Sequence, residues 1–410
     1  MEIPDKRPLL LDGAVATNLM PLGMPEGGIN ALRWILQNSD RVMALTDAFI
    51  RAGAMAVLAP TYGVMRSAVT EGGESGDIAA LNRSLAGMTF TAANGRVPVG
   101  GSVSPSGIEI KPFGEATFGR LIADYKEQMA ALCESGLTFV LLEGFTNLVD
   151  LRAAILAARA SQLPVFACVT VSDDCRTKTW DVGLLAALTV AQSLGVKAFG
   201  VNCSSPEAAL SAVKRMHPYA EVPLIARPDA GSANPILPHL YDYSPESMAA
   251  LTNELLAAGA RIIGGCCGTT PEHIEAMAQA VQAFDPEGVP AKVISEETIV
   301  ANHSDAFFVS DSFTPSEGLD CALDMSEALL EAADAGFDAI KVNIKSPDDA
   351  NLLAMNAHMA SLPVMLKSDD EALLEAALLQ YQGRALVDSQ CYIPGQTLIS
   401  IAKRYGAVIY

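Results

Sequence analysis

A β-then-α rhythm repeats along the first two thirds of the chain and limits the folds open to it. Short apolar runs recur at spacings of roughly 30 to 45 residues, and each precedes an Ala-rich segment whose apolar residues follow a helical period. Several of these segments end in glycine, the residue favoured where a helix C-terminus turns left-handed. The predicted strands are Leu9–Leu11, Ala54–Ala59, Pro98–Val103, Phe139–Leu142, Val165–Val169, Ala198–Val201, Leu224–Ala226 and Arg261–Ile263.

Eight such units within one stretch of chain favour an α/β fold of the (β/α)8 type, the TIM barrel. Half of the 410 residues are hydrophobic and only 6% are aromatic, which suits a sheet with small residues under close-packed helices. A doubly wound open sheet is the alternative. It is disfavoured because no Gly-x-Gly-x-x-Gly follows the first strand and because eight repeats suit closure.

A second, smaller unit is predicted after the barrel. From about Phe284 to Ser304 the rhythm lapses into a polar stretch containing DPEGVP and SEET, which indicates a linker. The predicted division is a barrel over 1–288, a linker over 289–304 and a β/α half-barrel-like domain over 305–410. The five predicted strands of this domain are Phe307–Val309, Ala339–Ile344, Val364–Lys367, Ala385–Val387 and Ala407–Tyr410.

Helices are expected between those strands, near Ser326–Ala335, Pro347–Ala360, Asp370–Gln380 and Thr397–Tyr405. Half a barrel leaves its sheet edge open. We therefore expect this domain to pack on the first barrel or on another copy of the chain, which makes a homo-oligomer possible.

The charge of the chain narrows the range of partners. A formal charge of −20 repels phosphate backbones and anionic lipids, so nucleic-acid and membrane partners are not expected. The N-terminus has no apolar stretch of signal-peptide length, and a cytoplasmic location is expected. Eight cysteines are too few for a disulfide scaffold in a chain of this length. Clustered cysteines therefore suggest a metal or catalysis.

Three cysteines follow predicted strands. Cys203 lies in GVNCS after the sixth strand, and Cys266 and Cys267 lie in GGCCGTTPEH after the eighth. Both places belong to the C-terminal mouth of a (β/α)8 barrel, where active sites are built. Three thiolates leave the fourth position of a tetrahedral zinc ion open, and soft sulfur ligands favour Zn²⁺ over Mg²⁺ or Ca²⁺.

Adjacent cysteines on a strand point to opposite faces, so both can hold one ion only where the backbone turns. The glycines around the pair, Gly264, Gly265 and Gly268, permit such a turn. A vicinal disulfide or two buried thiols are the alternatives. The other cysteines show no partnered spacing and are interpreted as core or surface residues: Cys133, Cys168, Cys175, Cys321 and Cys391.

A zinc site of this kind has two chemical uses. It can bind a substrate thiol and remove its proton, or it can activate water for hydrolysis. Hydrolytic sites usually use His and carboxylate ligands, and none of the five histidines adjoins these cysteines. His273 comes closest in sequence, in a helix opened by Pro271, and is predicted to lie on the helix surface.

The sequence motifs around these positions resemble those of the homocysteine S-methyltransferase family. That family includes the homocysteine-binding module of cobalamin-dependent methionine synthase and betaine–homocysteine methyltransferase. The resemblance spans roughly residues 1–285, and each motif falls at a predicted strand end. The motifs are LDGAVAT, APTYG, GSVSP, LLEGFTNLVDLRAA, GVNCS, RPDAG and GGCCGTTPEHI.

The resemblance implies that Cys203, Cys266 and Cys267 hold zinc and that the homocysteine sulfur takes the fourth position. It also implies that Asp12 and Glu143 receive the substrate ammonium. Without the resemblance, a turn-forming aspartate before glycine is the favoured interpretation of Asp12, and the alternative for Glu143 is a buried ion-pair partner.

Further roles follow from the same resemblance. Backbone N–H groups at Gly13 and Val15 would take the substrate carboxylate, and Asn202 would support the metal ligands. The sequence departs from the family at Gly144, where threonine is usual, and at Asp229, where asparagine is usual.

The C-terminal domain resembles the first half of the pterin-binding barrel that follows the homocysteine module in methionine synthase. The words GFDAIKVNI, LPVMLKSDDEALLEAAL, RALVDS and YGAVIY carry this resemblance. Lys341, Lys367 and Asp388 stand where that family carries acids or amides for the pterin, and the later strands are absent. We therefore expect a docking or scaffold role without folate binding.

The expected function is zinc-dependent methylation of homocysteine to methionine. The chain has no Asp-x-His-x-x-Gly corrinoid signature, so methylcobalamin would arrive on a separate corrinoid protein. Alternatives are an S-methylmethionine or betaine-like donor, another thiol acceptor, or a non-catalytic scaffold of a corrinoid complex. An onium donor would need aromatic side chains at the mouth, and Trp34, Tyr62 and Trp180 are the candidates.

Overall fold

The computed structural model describes residues 7–73, 76–285 and 295–410. Eight parallel strands form one sheet in the order β1-β8-β7-β6-β5-β4-β3-β2. The strands are β1 (Leu9–Leu10), β2 (Val57–Ala59), β3 (Val99–Val103), β4 (Phe139–Phe145), β5 (Val165–Val169), β6 (Ala198–Asn202), β7 (Leu224–Arg227) and β8 (Ala260–Ile263).

The sheet closes on itself between its first and last members in that order. Leu11 forms a parallel bridge with Ala56, and the N–H of Met55 donates to the carbonyl of Leu10 at 2.7 Å. The predicted (β/α)8 barrel is therefore confirmed, and the open doubly wound alternative is wrong.

Helices follow the strands around the barrel. Several begin at a side-chain cap that satisfies a free backbone N–H: Asn147, Ser205 and Ser244 accept from the residue three positions on. A short 3₁₀ turn lies at Met20–Leu22. The helices are α1 (Ala16–Leu19), α2 (Gly28–Gln37), α3 (Ser39–Arg51), α4 (Arg66–Glu71), α5 (Ile78–Ala93), α6 (Phe118–Glu134), α7 (Leu148–Ala158), α8 (Leu184–Ser193), α9 (Pro206–Met216), α10 (Pro245–Ala257) and α11 (Pro271–Ala283).

The barrel has two apolar layers because successive strand residues point to opposite faces. One layer fills the interior and includes Leu11, Phe139, Phe166 and Ile262. The other packs the outer faces of the strands against the helices and includes Val140, Leu142 and Phe199. This double burial explains why the strands appear in the sequence as continuous apolar runs.

A β-hairpin connects the barrel to the C-terminal domain. Strand β9 (Thr298–Ala301) pairs antiparallel with β10 (Ala306–Val309). In the turn between them, Asn302 Oδ1 accepts from the N–H groups of Ser304 and Asp305 at 2.9 and 2.7 Å. Strand β10 contains the predicted strand Phe307–Val309, but it pairs with β9 and not with the five-stranded sheet. Residues 298–304 of the predicted linker form the first strand and the turn of this hairpin. Residues 289–294 of the predicted linker lie outside the described residues.

The C-terminal domain contains a five-stranded parallel sheet in chain order. Its core is a separate apolar cluster that includes Val342, Leu366 and Leu378. A 3₁₀ turn lies at Ala357–Met359. The elements are β11 (Leu319–Asp320), α12 (Ser326–Asp334), β12 (Ile340–Asn343), α13 (Asp349–Asn356), β13 (Val364–Lys367), α14 (Glu371–Gln380), β14 (Leu386–Val387), α15 (Gly395–Tyr405) and β15 (Val408–Ile409).

This domain packs on the α7 and α8 side of the barrel. The buried guanidinium of Arg152, on α7, donates to the carbonyls of Leu378 and Leu379 at 2.6 Å each and so caps the end of α14. Near α8, the N–H of Gly183 donates to the carbonyl of Ser304 at 2.7 Å. The C-terminal domain thus packs on the first barrel, which is one of the two arrangements expected for it. Among the described residues, no helix has the length and apolar character needed to cross a bilayer.

Candidate active site

The three predicted cysteines meet at the C-terminal mouth of the barrel. Cys203 follows β6 and adopts a left-handed backbone with φ of +50°, and its Sγ lies 2.8 Å from Cys266 Sγ. The Sγ atoms of Cys203, Cys266 and Cys267, with a carboxylate oxygen of Asp229, all lie within 4.8 Å of one another. Three consecutive barrel strands, β6, β7 and β8, therefore bring four potential metal ligands to one point.

The backbone turns after β8, which lets both adjacent cysteines face the same point. Strand β8 ends at Ile263, and Gly268 takes a φ of +79°. A side chain at Gly268 would also collide with the ring of Tyr241. Thr269 closes the turn, because its hydroxyl donates to the carbonyl of Cys266 at 2.6 Å.

All eight cysteines are free thiols, so the vicinal pair is not a disulfide. The hydrogen bonds from the thiols of Cys203 and Cys266 lower the pKa of Cys267. The same network raises the pKa of Cys203, whose largest cause is the hydrogen bond with Cys266. A thiolate stabilised by two neighbouring thiols favours metal binding, because a cation that binds there displaces the remaining thiol protons.

Asp229 is a fourth potential ligand that the sequence analysis did not assign. Its Oδ1 accepts from the N–H of Cys267 at 3.1 Å. Burial, followed by the charge of Cys266, raises the pKa of this carboxyl to about 8. A cation bound at the three thiols would stabilise the ionised carboxylate, because its charge opposes both the cost of burial and the repulsion from Cys266.

Asn202, on β6, joins the thiols to strand β4, which lies beyond β5 in the barrel. Its Nδ2 donates to Cys203 Sγ at 3.2 Å and lies 3.8 Å from Cys266 Sγ. Its Oδ1 accepts from the N–H of Gly144 at 3.0 Å. The amide therefore orients two sulfurs while it fixes the backbone next to Glu143, which is the supporting position predicted for it.

Asp12 and Glu143 approach each other across a buried arginine. Arg227 Nη1 donates to Glu143 Oε2 at 2.6 Å, and its Nη2 lies 3.6 Å from Asp12 Oδ1. Asp12 Oδ2 also accepts from the N–H of Leu58 at 2.8 Å, and the hydroxyl of Ser102 donates to Glu143. The two predicted substrate-binding carboxylates are thus held together in one charged cluster.

Burial controls the protonation of this cluster. It raises the pKa of Asp12 to about 7, against the opposing effects of Arg227 and the Leu58 N–H. It also raises the pKa of Glu143, where Arg227 again opposes it. Asp12 Oδ1 has no hydrogen-bond partner among the described residues, so it retains the capacity to accept from a cationic ligand.

The backbone after β1 offers amides near these carboxylates. The N–H of Ala14 donates to Thr269 Oγ1 at 3.1 Å, so that amide is already paired. The amides predicted to bind the substrate carboxylate are therefore the N–H groups of Gly13 and Val15. A Cβ at Gly13 would come within 2.8 Å of both Phe49 and Thr269, so only glycine fits there.

The prediction for His273 is wrong. The side chain is buried at the start of α11, where Nδ1 accepts from the N–H of Thr270 at 3.2 Å and the other ring nitrogen contacts the carbonyl of Tyr243 at 3.0 Å. The histidine occupies the third helical position and completes a capping box with Thr270. This helix-start signal was present in the sequence as TTPEH.

The three aromatic candidates for an onium cage do not assemble. The hydroxyl of Tyr62 lies near Gly144, beside the charged cluster. Trp34 packs with the apolar residues of the first helices, and Trp180 packs against Phe113 at a centroid distance of 6.1 Å. Gly144 itself takes a φ of +80°, a conformation that the threonine usual in the family rarely adopts.

Two functional residues were missed although their signal was visible. Arg227 and Asp229 both lie in the word RPDAG at the end of β7. An arginine as the last residue of a buried strand requires a buried anion, and the carboxylates of Asp12, after β1, and Glu143, on β4, supply it at the same end of the barrel.

Fold and site together define a (β/α)8 barrel protein with a thiol-rich, metal-competent mouth. The sequence model for homocysteine S-methyltransferase matches residues 9–281. The chain belongs to the homocysteine S-methyltransferase family, and the resemblance drawn from its motifs is confirmed.

Known relatives and solved structures agree with this assignment. The chain aligns over its full length with methionine synthase from Mycobacterium tuberculosis (strain ATCC 25618 / H37Rv) at 28% identity and with that of Mycobacterium leprae (strain TN) at 27%. It spans 38% of the length of each. The metallated homocysteine methyltransferase MmuM from Escherichia coli shares the fold, with a TM-score of 0.58 and 22% identity over 67% of this chain and 96% of that one.

Proposed function

We propose that Cys203, Cys266 and Cys267 bind Zn²⁺ and that the chain transfers a methyl group to the sulfur of homocysteine, giving methionine. The observation that carries the proposal is the convergence of three sulfurs and one carboxylate oxygen within 4.8 Å at the mouth of a barrel of this family. Soft, partly buried sulfur ligands suit zinc better than a hard cation.

Zinc, when bound, would supply thiol activation, because a coordinated thiol loses its proton near neutral pH. The chain's own residues would prepare the site for it. Asn202 orients two of the sulfurs through its Nδ2, and the carboxylate of Asp229 lies beside them. Three protein sulfurs leave the fourth coordination position of zinc for the substrate thiol. If Asp229 occupied that position in the absence of substrate, it would be the ligand that the thiol displaces.

The substrate amine would bind at the carboxylates of Asp12 and Glu143. Asp12 is buried and the Glu143 side chain is 14% exposed, and Arg227 supplies a single positive charge to the pair. An ammonium would balance the second negative charge, and Asp12 Oδ1 is free to accept its hydrogen bond. The N–H groups of Gly13 and Val15 would face the substrate carboxylate. This arrangement would favour an amino-acid thiol over a simple alkyl thiol.

In the transfer step the sulfur forms a bond to the methyl carbon while the bond from that carbon to the donor breaks. The electron pair of the broken bond stays with the donor, and the thiol proton has already left on binding. We propose methylcobalamin on a separate corrinoid protein as the donor. Relatives named methionine synthase support a corrinoid, and the chain itself has no Asp-x-His-x-x-Gly signature.

Metal analysis and a methyl-transfer assay test the proposal together. Purified protein should contain about one zinc per chain and should convert homocysteine to methionine with methylcobalamin as donor. Cys266→Ser should lose both properties. Cys133→Ser should keep both properties. That thiol is exposed near the C-terminal end of α6, just before β4 begins, and therefore lies at the end of the barrel opposite the mouth. Methyl transfer by metal-free protein would overturn the zinc mechanism.

The same assay separates the alternatives. Turnover with S-methylmethionine or betaine, but not with methylcobalamin, would replace the donor and keep the zinc site. Zinc X-ray absorption with homocysteine present should show one additional sulfur ligand. An unchanged sulfur count, together with no turnover on any donor, would indicate a non-catalytic scaffold.

A further inference from the structure

A cavity of about 110 Å³ lies between the barrel and the C-terminal domain, separate from the cysteine cluster. We call it the interdomain cavity. The barrel contributes the loop after β3, the first turn of α7 and the loop after β5, while the other wall comes from the hairpin turn, α13 with its following turn, and the end of α14. The residues that carry the argument are Phe113, Trp180, His303, His358 and Gln382.

Aromatic rings form the entrance and one wall of the interdomain cavity. Phe113 meets Trp180 edge-on at a centroid distance of 6.1 Å and meets the His358 ring edge-on at 5.0 Å. Phe113 and Trp180 are 58% and 42% exposed although both are large and apolar. Exposed rings that border an apolar cavity are typical of a ligand site, since they offer flat faces to a planar molecule.

Polar atoms without partners belong to three of the lining residues. Among the described residues, His303 Nδ1, His358 Nδ1 and Gln382 Oε1 are buried and have no hydrogen-bond partner. The amide nitrogen of Gln382 donates to the carbonyl of Gln380 at 2.7 Å, so the unpaired atom of this side chain is an acceptor. Unpaired buried polar atoms are costly and uncommon, and three around one cavity indicate a partner that binds there.

The charge of the site excludes several ligand classes. Burial, followed by the proximity of His358, lowers the pKa of His303, so that ring is neutral at pH 7. A neutral imidazole offers one donor and one acceptor nitrogen. The charged residues of the lining are Glu109 and Lys111, whose formal charges cancel, so the lining has no net charge to attract an ion of either sign. An acceptor amide beside a neutral imidazole suits an uncharged ligand that has an N–H donor.

The volume limits the size of the bound group. An apolar cavity of about 150 Å³ in another protein holds one benzene molecule. The enclosed part of the interdomain cavity is smaller than that, so it takes one edge of a planar ring, and the exposed aromatic rim would contact the rest of the ring.

We propose that the interdomain cavity binds an uncharged planar heteroaromatic ring bearing an N–H donor, with Gln382 Oε1 as its acceptor and the imidazoles of His303 and His358 as further polar partners. Because the lining comes from both domains, binding would also strengthen their association.

Calorimetric titration of the full chain with two shape-matched probes tests the proposal. Benzimidazole has an N–H donor and a ring nitrogen, whereas indene has the same fused outline without nitrogen. We expect benzimidazole to bind about tenfold more tightly than indene, which is the effect of one net hydrogen bond. Equal affinities would show an apolar cavity without polar recognition, and no binding of benzimidazole at millimolar concentration would also refute the proposal.

The variant Gln382→Met tests whether Gln382 Oε1 accepts the hydrogen bond from the N–H of the ligand. This substitution keeps the length of the side chain and removes the acceptor, so the preference for benzimidazole over indene should fall about tenfold. Gln396→Met is the matched control, because Gln396 is exposed on α15. A preference that survives in Gln382→Met would refute the assigned contact, and the wild-type comparison of the two probes stands even if this variant does not fold.

Discussion

Asp12→Asn should make the metal-free protein more stable while it weakens homocysteine binding. Asp12 is buried at the end of β1, and one of its oxygens has no hydrogen-bond partner among the described residues. An asparagine retains a carbonyl oxygen for the N–H of Leu58, which now donates at 2.8 Å, and carries no charge to bury. The ammonium of the proposed substrate, in contrast, would need the negative charge of Asp12.

The magnitude follows from the pKa of Asp12. Burial raises it from 3.8 to about 7, and at 1.36 kcal/mol per unit this corresponds to a cost of about 4 kcal/mol for the ionised form. Because the folded-state pKa is raised, the stability contribution of protonated Asp12 is complete below pH 3.8 and is lost as the pH rises through about 7. The advantage of Asp12→Asn should therefore be near zero at pH 4 and reach about 2 to 4 kcal/mol at pH 8, and this range already includes the attraction to Arg227 because the pKa of Asp12 reflects it.

Thermal unfolding of metal-free wild type and variant from pH 4.5 to pH 8.5 measures this difference. We expect the Tm of Asp12→Asn to exceed that of the wild type by roughly 4 to 8 °C at pH 8 and to converge with it at the acidic end. Asp40→Asn, on an exposed position in the first turn of α3, should show no such pH-dependent gain. A variant that is less stable than the wild type at pH 8 would refute the reasoning.

Three further results are expected. Glu143→Gln should weaken homocysteine binding by about tenfold or more and leave 4-mercaptobutyrate, which lacks the amine, nearly unaffected; equal losses for both thiols would contradict the ammonium role. Arg152→Met should destabilise the packing of the C-terminal domain by about 3 kcal/mol, because two carbonyls at the end of α14 lose a charged donor. Hydrogen exchange over residues 371–382 should rise relative to an Arg120→Met control. Unchanged protection would argue against a role of Arg152 in holding α14. Removal of metal by a chelator should abolish methyl transfer and added zinc should restore it, whereas restoration by Mg²⁺ would argue against a thiolate site.

The sequence was sufficient for the barrel because its strands are buried on both faces and therefore appear as continuous apolar runs. It also placed Cys203, Cys266 and Cys267 correctly at strand ends, because in this fold a strand end specifies a position at the mouth. It did not predict the hairpin of β9 and β10, whose two short apolar runs enclose the turn word NHSD, a recognisable hairpin signal. The docking of Arg152 on α14 joins residues more than 220 positions apart, and no local pattern contains such a contact.

Arg227 explains how one mouth could hold the thiol cluster proposed to bind zinc beside the carboxylate pair proposed to bind the amine. Three thiolates with Zn²⁺ would carry a net charge of −1, and Asp12 with Glu143 would add two more negative charges at close range. Arg227 compensates one of these charges, and the high pKa of Asp12 allows a proton to compensate another while the site is without substrate. An ammonium that replaces this proton would restore the charge at Asp12 without burying it unpaired. The amine and the thiol of the substrate would then be recognised by two adjacent groups that each need a cation, which makes an amino-acid thiol a better electrostatic match than a neutral one.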